Sequence, residues 1–331
     1  MTTKFDPRRR AATFGLLGFA ATCALPARAQ DTWLSGKPIR LVLPFSAGGA
    51  GDITARQIAQ AMSLQLKQPV IVDNKPGAGG IIGSDFVAKS PADGYTLLIA
   101  GNGFIASALL RPKMPYAETD LVPVASTNNP PSVIVINPSS PIKNLKDLQV
   151  YAKTRPGGIT FGTAGAGSTG HFVAEMLKSA LGVPVTAVHY KSGSETVTAI
   201  IGGQIDLASE APVAVQGYLR SGRLRGLAIT NDKRLASLPD VATTAEQGFT
   251  TIRMQHWGGI FAPRGTPPAV LDRIAEAWNA GFLADAKLRS EFEANGSYQT
   301  GSGTRTEFEE FLRSEKQRLG KIVADSKMTL E

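Results

Sequence analysis

An α/β fold of two lobes, joined by a two-segment hinge with a ligand cleft between them, is predicted by three observations on this 331-residue chain. Short apolar strands alternate with helical stretches, the rhythm of a parallel sheet covered by helices. That rhythm breaks at Asn128-Asn129-Pro130-Pro131 and then starts again. Three glycine-rich turns stand where a strand hands over to a helix: Pro44-Phe45-Ser46-Ala47-Gly48-Gly49-Ala50-Gly51-Asp52, Pro76-Gly77-Ala78-Gly79-Gly80 and Gly162-Thr163-Ala164-Gly165-Ala166-Gly167-Ser168-Thr169-Gly170.

Residues 37–43 are apolar enough for a buried strand, and the first glycine turn ends it. Residues 53–66 carry apolar side chains at helical spacing, with Asp52 placed to cap that helix. A second strand at 70–72 runs into the second glycine turn and a helix to 88, and a third at 95–100 opens into Gly101-Asn102-Gly103. After the break come a strand at 132–136, a strand at 159–163 with the third glycine turn, a helix at 171–181 and a strand at 185–190. A helix at 195–201 and strands at 205–208 and 226–230 complete that unit. A Gly-interrupted strand at 257–263 and helices at 268–284 and 305–325 finish the chain. These last elements return to the first unit, so the chain crosses twice, near 128–133 and 254–258. The lobes are then 30–130 plus 255–331, and 131–254.

The first 29 residues read as a cleaved export signal: Arg8-Arg9-Arg10, an apolar stretch over 11–25 and the small-x-small site Ala27-Arg28-Ala29. The paired arginines leave twin-arginine export open beside ordinary secretion. Cys23, the only cysteine, lies in this segment, so the mature chain has no thiol and no cysteine metal ligand. Removing the segment takes away five basic residues (Lys4, Arg8, Arg9, Arg10, Arg28) and one acid (Asp6), which lowers the net charge from +8 to +4. Basic residues are scattered among acids, which argues against nucleic-acid binding. No second long apolar run exists, so the mature protein is expected to be soluble in the periplasm. No metal cluster and no cofactor are expected, since His171 and His189 fall on separate elements.

Glycine-rich turns bare backbone N–H groups and aim a helix N-terminus at whatever lies above, so each can seat an anion. Ser46 with the amides around Gly48 and Gly49 is a candidate seat for a carboxylate oxygen, with close strand–helix packing as the alternative. Ala78, Gly79 and Gly80 carry the same two readings. Thr163 and Ser168, with Ala164 and Gly165 between them, offer hydroxyls and amides from the opposite lobe, although Ser168 could instead only cap its helix. His171 is more often a structural partner than a ligand contact at such a position. Phe45 and Tyr190 could wall the pocket or belong to the core, and His256 with Trp257 reads as hinge packing.

In this order, these motifs resemble the Bug family, the periplasmic receptors of tripartite tricarboxylate transporters. The resemblance runs over essentially the whole mature chain. It rests on Pro44-Phe45-Ser46-Ala47-Gly48-Gly49 with Asp52 and Ala55-Arg56, Asn74-Lys75-Pro76-Gly77-Ala78-Gly79-Gly80, and Gly94-Tyr95-Thr96-Leu97-Leu98. Gly165-Ala166-Gly167-Ser168 with His171, Tyr190-Lys191, Gly202-Gly203-Gln204-Ile205-Asp206, Leu238-Pro239-Asp240-Val241 and Phe261-Ala262-Pro263-Arg264-Gly265-Thr266-Pro267 continue it. It implies the type II periplasmic-binding-protein fold, a small organic carboxylate as ligand, and membrane permease subunits as partners of a monomer. It also implies that Asp52 holds a bridging water in the cleft. His189, Ser192 and Asn102 depart from common family residues, and Glu210 lies in a variable stretch. These positions are expected at the ligand's far end, where an inward Glu210 disfavours a second carboxylate.

Two enzyme patterns compete. Gly165-Ala166-Gly167-Ser168-Thr169-Gly170 spells the dinucleotide fingerprint, but the next strand ends at Tyr190-Lys191 without the acid that would hold a ribose. Ser168, Asp206 and His256 follow the order of a hydrolase triad, though Ala166 replaces the first glycine of the nucleophile elbow. A secreted serine hydrolase is therefore the alternative to a non-enzymatic receptor, and a ligand sensor for a signalling partner is a third reading.

Overall fold

The computed structural model describes residues 33–34, 36–297 and 304–329. The expected export segment at 1–29 lies outside the described residues.

The first unit runs β1 (Ile39–Leu43), α1 (Ala50–Leu66), β2 (Val70–Asn74), α2 (Ile81–Ala88), β3 (Thr96–Gly101), α3 (Asn102–Leu110) and β4 (Leu121–Asn128). The second runs β5 (Val133–Ile136), α4 (Leu145–Lys153), β6 (Ile159–Thr163), α5 (Thr169–Leu181), β7 (Val185–His189), α6 (Gly193–Ile201), β8 (Leu207–Glu210), α7 (Pro212–Arg220) and β9 (Arg225–Ile229). The chain then returns through β10 (Gly258–Pro263) to α8 (Pro268–Ala284), α9 (Ala286–Ala294) and α10 (Arg305–Ser326).

Two five-stranded sheets result, ordered β2-β1-β3-β10-β4 and β7-β6-β8-β5-β9. Neither is purely parallel, which corrects the sequence expectation. β10 runs antiparallel to β3 and β4, and β5 antiparallel to β8 and β9. Each of these two strands enters its sheet from the cleft side, where its neighbours end, so it must run against them. The crossings are tied together: His256 N donates to Pro130 O at 2.7 Å, and Ser132 N to Met254 O at 3.1 Å.

α1 packs against β2 and α8 on one side of the first sheet, while α10 packs against β4, α3 and α5. Trp257, Phe261, Phe308 and Phe311 form an aromatic cluster under α10, with Trp257 edge-on to both Phe308 and Phe311. Gly259 is required there, because a Cβ at that position would lie 2.1 Å from the Phe308 ring.

β4, α3, α4, α7 and α9 were not expected. Pro123 argues against a strand, yet β4 is the last strand of its sheet, where a missing N–H leaves no ladder partner unpaired. Asn102-Gly103 proves to be the start of a helix rather than an open turn. α1 begins three residues earlier than expected, with Gly49 as its N-cap, and Asp52 sits in the first turn instead of capping it.

Candidate functional site

The strands β1, β3, β6 and β8 end toward one cavity of about 480 Å³, lined from both sheets. That volume suits a small molecule. Five helices start at its wall: α1, α3, α5, α6 and α7. Gly49, Gly101 and Ala211 cap three of them without a side-chain hydrogen bond, so the first-turn N–H groups of those helices have no competing side-chain acceptor. Five positive dipole ends around one space favour an anion, and Lys191, just before α6, adds a full positive charge to the wall.

The first glycine turn is held by Asp52. Its carboxylate accepts from Gly48 N at 3.1 Å, from Asn74 Nδ2 at 3.1 Å, and from Arg56 Nε and Nη2, each at 3.0 Å. Burial raises the Asp52 pKa, but these hydrogen bonds outweigh it and leave the group below its ordinary range. The fork from Arg56 also cancels the charge, so this acid does not repel an anion in the cavity. Asn74 Nδ2 donates as well to Phe45 O, which fixes the turn from its other end.

Ser168 does two things at once. Its Oγ caps α5 by accepting from His171 N at 3.4 Å, and the residue lines the cavity. Across the space, Asn102 Nδ2 donates to Gln255 O at 2.6 Å and to Thr169 Oγ1 at 3.0 Å, joining α3, the crossing segment and α5. Asn102 Oδ1 and Trp257 Nε1 are buried without a hydrogen-bond partner among the described residues. Such atoms are uncommon in a settled interior.

Of the expected site residues, Phe45, Ser46, Gly48, Gly49, Asp52, Gly79, Asn102, Ala164, Ser168 and Glu210 reach the cavity wall. Ala78, Gly80, Thr163, Gly165, His171 and Tyr190 are not part of that wall. Thr163 is fully buried, with its Oγ1 2.6 Å from His189 Nδ1, so it supports the third glycine turn rather than facing a ligand. His171 is buried, and its Nδ1 accepts from Gly167 N at 3.1 Å. Burial, with His189 and Lys178 nearby, pushes its pKa down to about 4. Tyr190 packs against the core of the second sheet.

The wall also includes Ser192, expected at the ligand's far end, and residues not expected there: Ser194 at the start of α6, and Ala211 and Ala214 at the start of α7. Both starts carry signals outside the three glycine-rich turns. Ser192 and Glu195 are spaced as a capping box, with Ser192 Oγ accepting from Glu195 N at 3.4 Å. Pro212 occupies the first turn of α7. His256, expected as hinge packing or as the base of the alternative hydrolase triad, lines the cavity too; its Nε2 lies 2.7 Å from Ser132 Oγ, and burial lowers its pKa to about 4.

The three residues of the hydrolase order do not meet as a triad. Asp206 accepts from Arg155 Nη1 at 2.7 Å and from Thr160 N and Oγ1, each at 2.8 Å, at the start of β6. Ser168 lies beyond the other end of that strand, and His256 is paired with Ser132. Among the described residues no group of three or more His, Cys, Asp or Glu could hold a metal ion, and no helix is long and apolar enough to cross a membrane.

Residues 54–328 match the family described as tripartite tricarboxylate transporter family receptor. The chain is 33% identical over 311 residues to the protein BugT of Bordetella pertussis, spanning 93% of this chain and 95% of BugT. Among solved structures it is similar to the periplasmic binding protein BugD, with a TM-score of 0.81 and 29% identity, covering 88% of this chain and 98% of that one. An R. palustris protein solved with adipate gives a TM-score of 0.83 and 32% identity, again covering 88% and 98%. MatC of Rhodopseudomonas palustris, solved with bound malate, gives 0.81 and 26%, covering 88% of this chain and all of that one at 100%.

Proposed function

The chain belongs to the tripartite tricarboxylate transporter receptor family, the Bug family, and from that premise we propose that it is a periplasmic receptor. It captures one small organic carboxylate between its lobes and delivers it to the membrane permease subunits of a transporter. The observation that carries this reading is the set of five helix N-termini at one cavity, three of them without a side-chain cap. Solved relatives that hold adipate and malate support the same ligand class.

The ligand carboxylate is assigned to the space between Ser46, Gly79 and Ser168, where backbone N–H groups from α1 and a hydroxyl from α5 converge. Charge-assisted bonds of this kind contribute about 1.5–3 kcal/mol each. Asp52 keeps the first turn in shape, and Thr163 with His171 does the same for the third. The lobes, 30–130 plus 255–331 and 131–254, swing about the paired crossing segments, and the closed form docks on the permease as a monomer. Binding and release suffice for this role, and no catalytic step is assigned to Ser168.

A thermal-shift screen of the mature chain, unfolded and refolded to strip bound ligand, tests the reading against a panel of small carboxylates. A ligand at a hundred times its dissociation constant stabilises the fold by about 2.7 kcal/mol. Shifts for a few acids, each recovered intact by mass spectrometry, are the expected result. No shift from any acid, or an ester returned cleaved by the wild type but not by Ser168→Ala, overturns it.

A further inference from the structure

Two acids line the cavity, and they differ in how they are satisfied. Asp52 is neutralised by Arg56 and held by two further donors. Glu210 is buried, 8% exposed, at the end of β8, two residues beyond the pairing of Gly162 with Ala208 that sets it beside the third glycine turn. Its Oε1 accepts from Thr196 Oγ1 at 2.7 Å, and among the described residues no cation pairs with it. Its carboxylate lies against the start of α6: a Cβ on Gly193 would stand 2.4 Å from Oε2, so only glycine leaves that oxygen its place. The same wall carries Val213, Ala214 and Tyr218 of α7 and, just before α6, the cation Lys191.

A desolvated carboxylate with one hydrogen bond gains most from a further donor and loses most from a second negative charge. Burial pushes the Glu210 carboxyl up to about 7, partly offset by the Thr196 bond, which is the mark of an acid still short of partners. Two solved relatives carry dicarboxylates, and an ionised second carboxylate placed against Glu210 would meet like charge.

Resting on the carboxylate-receptor reading above, we propose that Glu210 is the specificity-determining acceptor of this cavity. It selects small carboxylates that carry a hydrogen-bond donor, a hydroxyl or an ammonium, at the end remote from the anchored carboxylate. It rejects dicarboxylates of the same length. The anchor is formed by backbone at the glycine turns, and the choice among ligands is made by one side chain on the opposite lobe.

The experiment is isothermal titration of stripped wild type and Glu210→Gln at mildly alkaline pH with four acids of matched length: butyrate, γ-hydroxybutyrate, γ-aminobutyrate and succinate. Glutamine keeps the shape, removes the charge and offers an N–H. In wild type the hydroxy or amino acid is expected to bind at least about tenfold more tightly than succinate, the scale of one charged hydrogen bond. In Glu210→Gln that preference is expected to shrink or reverse. The tighter of the two donor ligands identifies the donor. Succinate as the tightest wild-type ligand, or a ranking that Glu210→Gln leaves unchanged, overturns this inference and leaves the carboxylate reading standing. Failure of all four acids and of the wider carboxylate panel to bind either protein overturns that reading, and this inference with it.

Discussion

The two lobes meet the cavity with different materials. The first presents backbone: the turn at Ser46–Gly49, Gly79, and the starts of α1 and α3, whose caps Gly49 and Gly101 supply no side-chain acceptor. Its one acid is paired off by Arg56. The second lobe presents side chains: Ser168 and Ser192 at the caps of α5 and α6, and the singly bonded Glu210. Main-chain N–H groups cannot tell one carboxylate from another, whereas a hydroxyl or a buried acid can. The contrast therefore separates most of the anchoring from selection: the first wall, with Ser168 of the second, holds what all ligands share, and Glu210 reads what they do not.

The largest effect is expected at the joint between the walls. A Cβ on Gly101 would stand 2.6 Å from the carbonyl oxygen of Trp257 in the crossing segment, a backbone-to-backbone approach with little room to relax. Gly101→Ala should cost about 2–3 kcal/mol in urea unfolding, toward the upper end for overpacking. A neutral result would mean that the crossing is slack and the walls move independently.

Next comes Asp52→Ala, which frees Gly48 N, Asn74 and Arg56 together. Loss of a charged hydrogen-bond centre should weaken every carboxylate by about tenfold to a hundredfold, measured by titration calorimetry. The rank order of ligands should survive; if it changes, the first lobe selects as well as anchors.

Ser168→Ala is smaller and mixed. Loss of the α5 cap should lower stability by about 1 kcal/mol, and loss of the hydroxyl should weaken binding by about tenfold. Chemical denaturation and titration of the same preparation separate the two. A stability change with unaltered affinity would make Ser168 a cap alone.

The smallest net effect is in pH, because the groups oppose one another. His171 and His256 are depressed to about 4. Their contribution is complete above about 6.5 and is lost as pH falls toward 4. Glu210 is raised to about 7, so its buried site favours the protonated form. That group adds stability as pH falls from about 7 to about 4.5. Glu210→Gln should therefore steepen the acid loss of stability, and His256→Gln should flatten it, both read from urea midpoints between those limits. Parallel pH profiles for wild type and Glu210→Gln would place the carboxyl in a solvated setting instead.

Most of the strands and half of the cavity were legible in the chain because they depend on local rules. β6 falls at Ile159–Thr163 and α8 at Pro268–Ala284 as the apolar spacing predicts, since each is bounded by turn or proline signals. Ser46, Gly48, Gly79 and Ser168 were visible as sites because glycine and serine at a strand end mark a helix start. Thr163, His171 and Tyr190 carry the same local signals and yet are not part of the wall. No spacing says which face of a turn looks outward once helices from elsewhere close over it. β4 hid behind Pro123, which only its edge position tolerates.

The sequence by itself determined the two α/β units, their glycine turns and the family, because periodicity and short-range turn chemistry are written in neighbouring residues. Tertiary structure alone decided that β5 and β10 run against their neighbours. It alone joined the start of α7 to the cavity, and left Glu210 buried there with a single side-chain hydrogen bond while Asp52 is fully paired. A carboxylate's charge is spelled in the sequence, but what neutralises it depends on groups brought close by the fold.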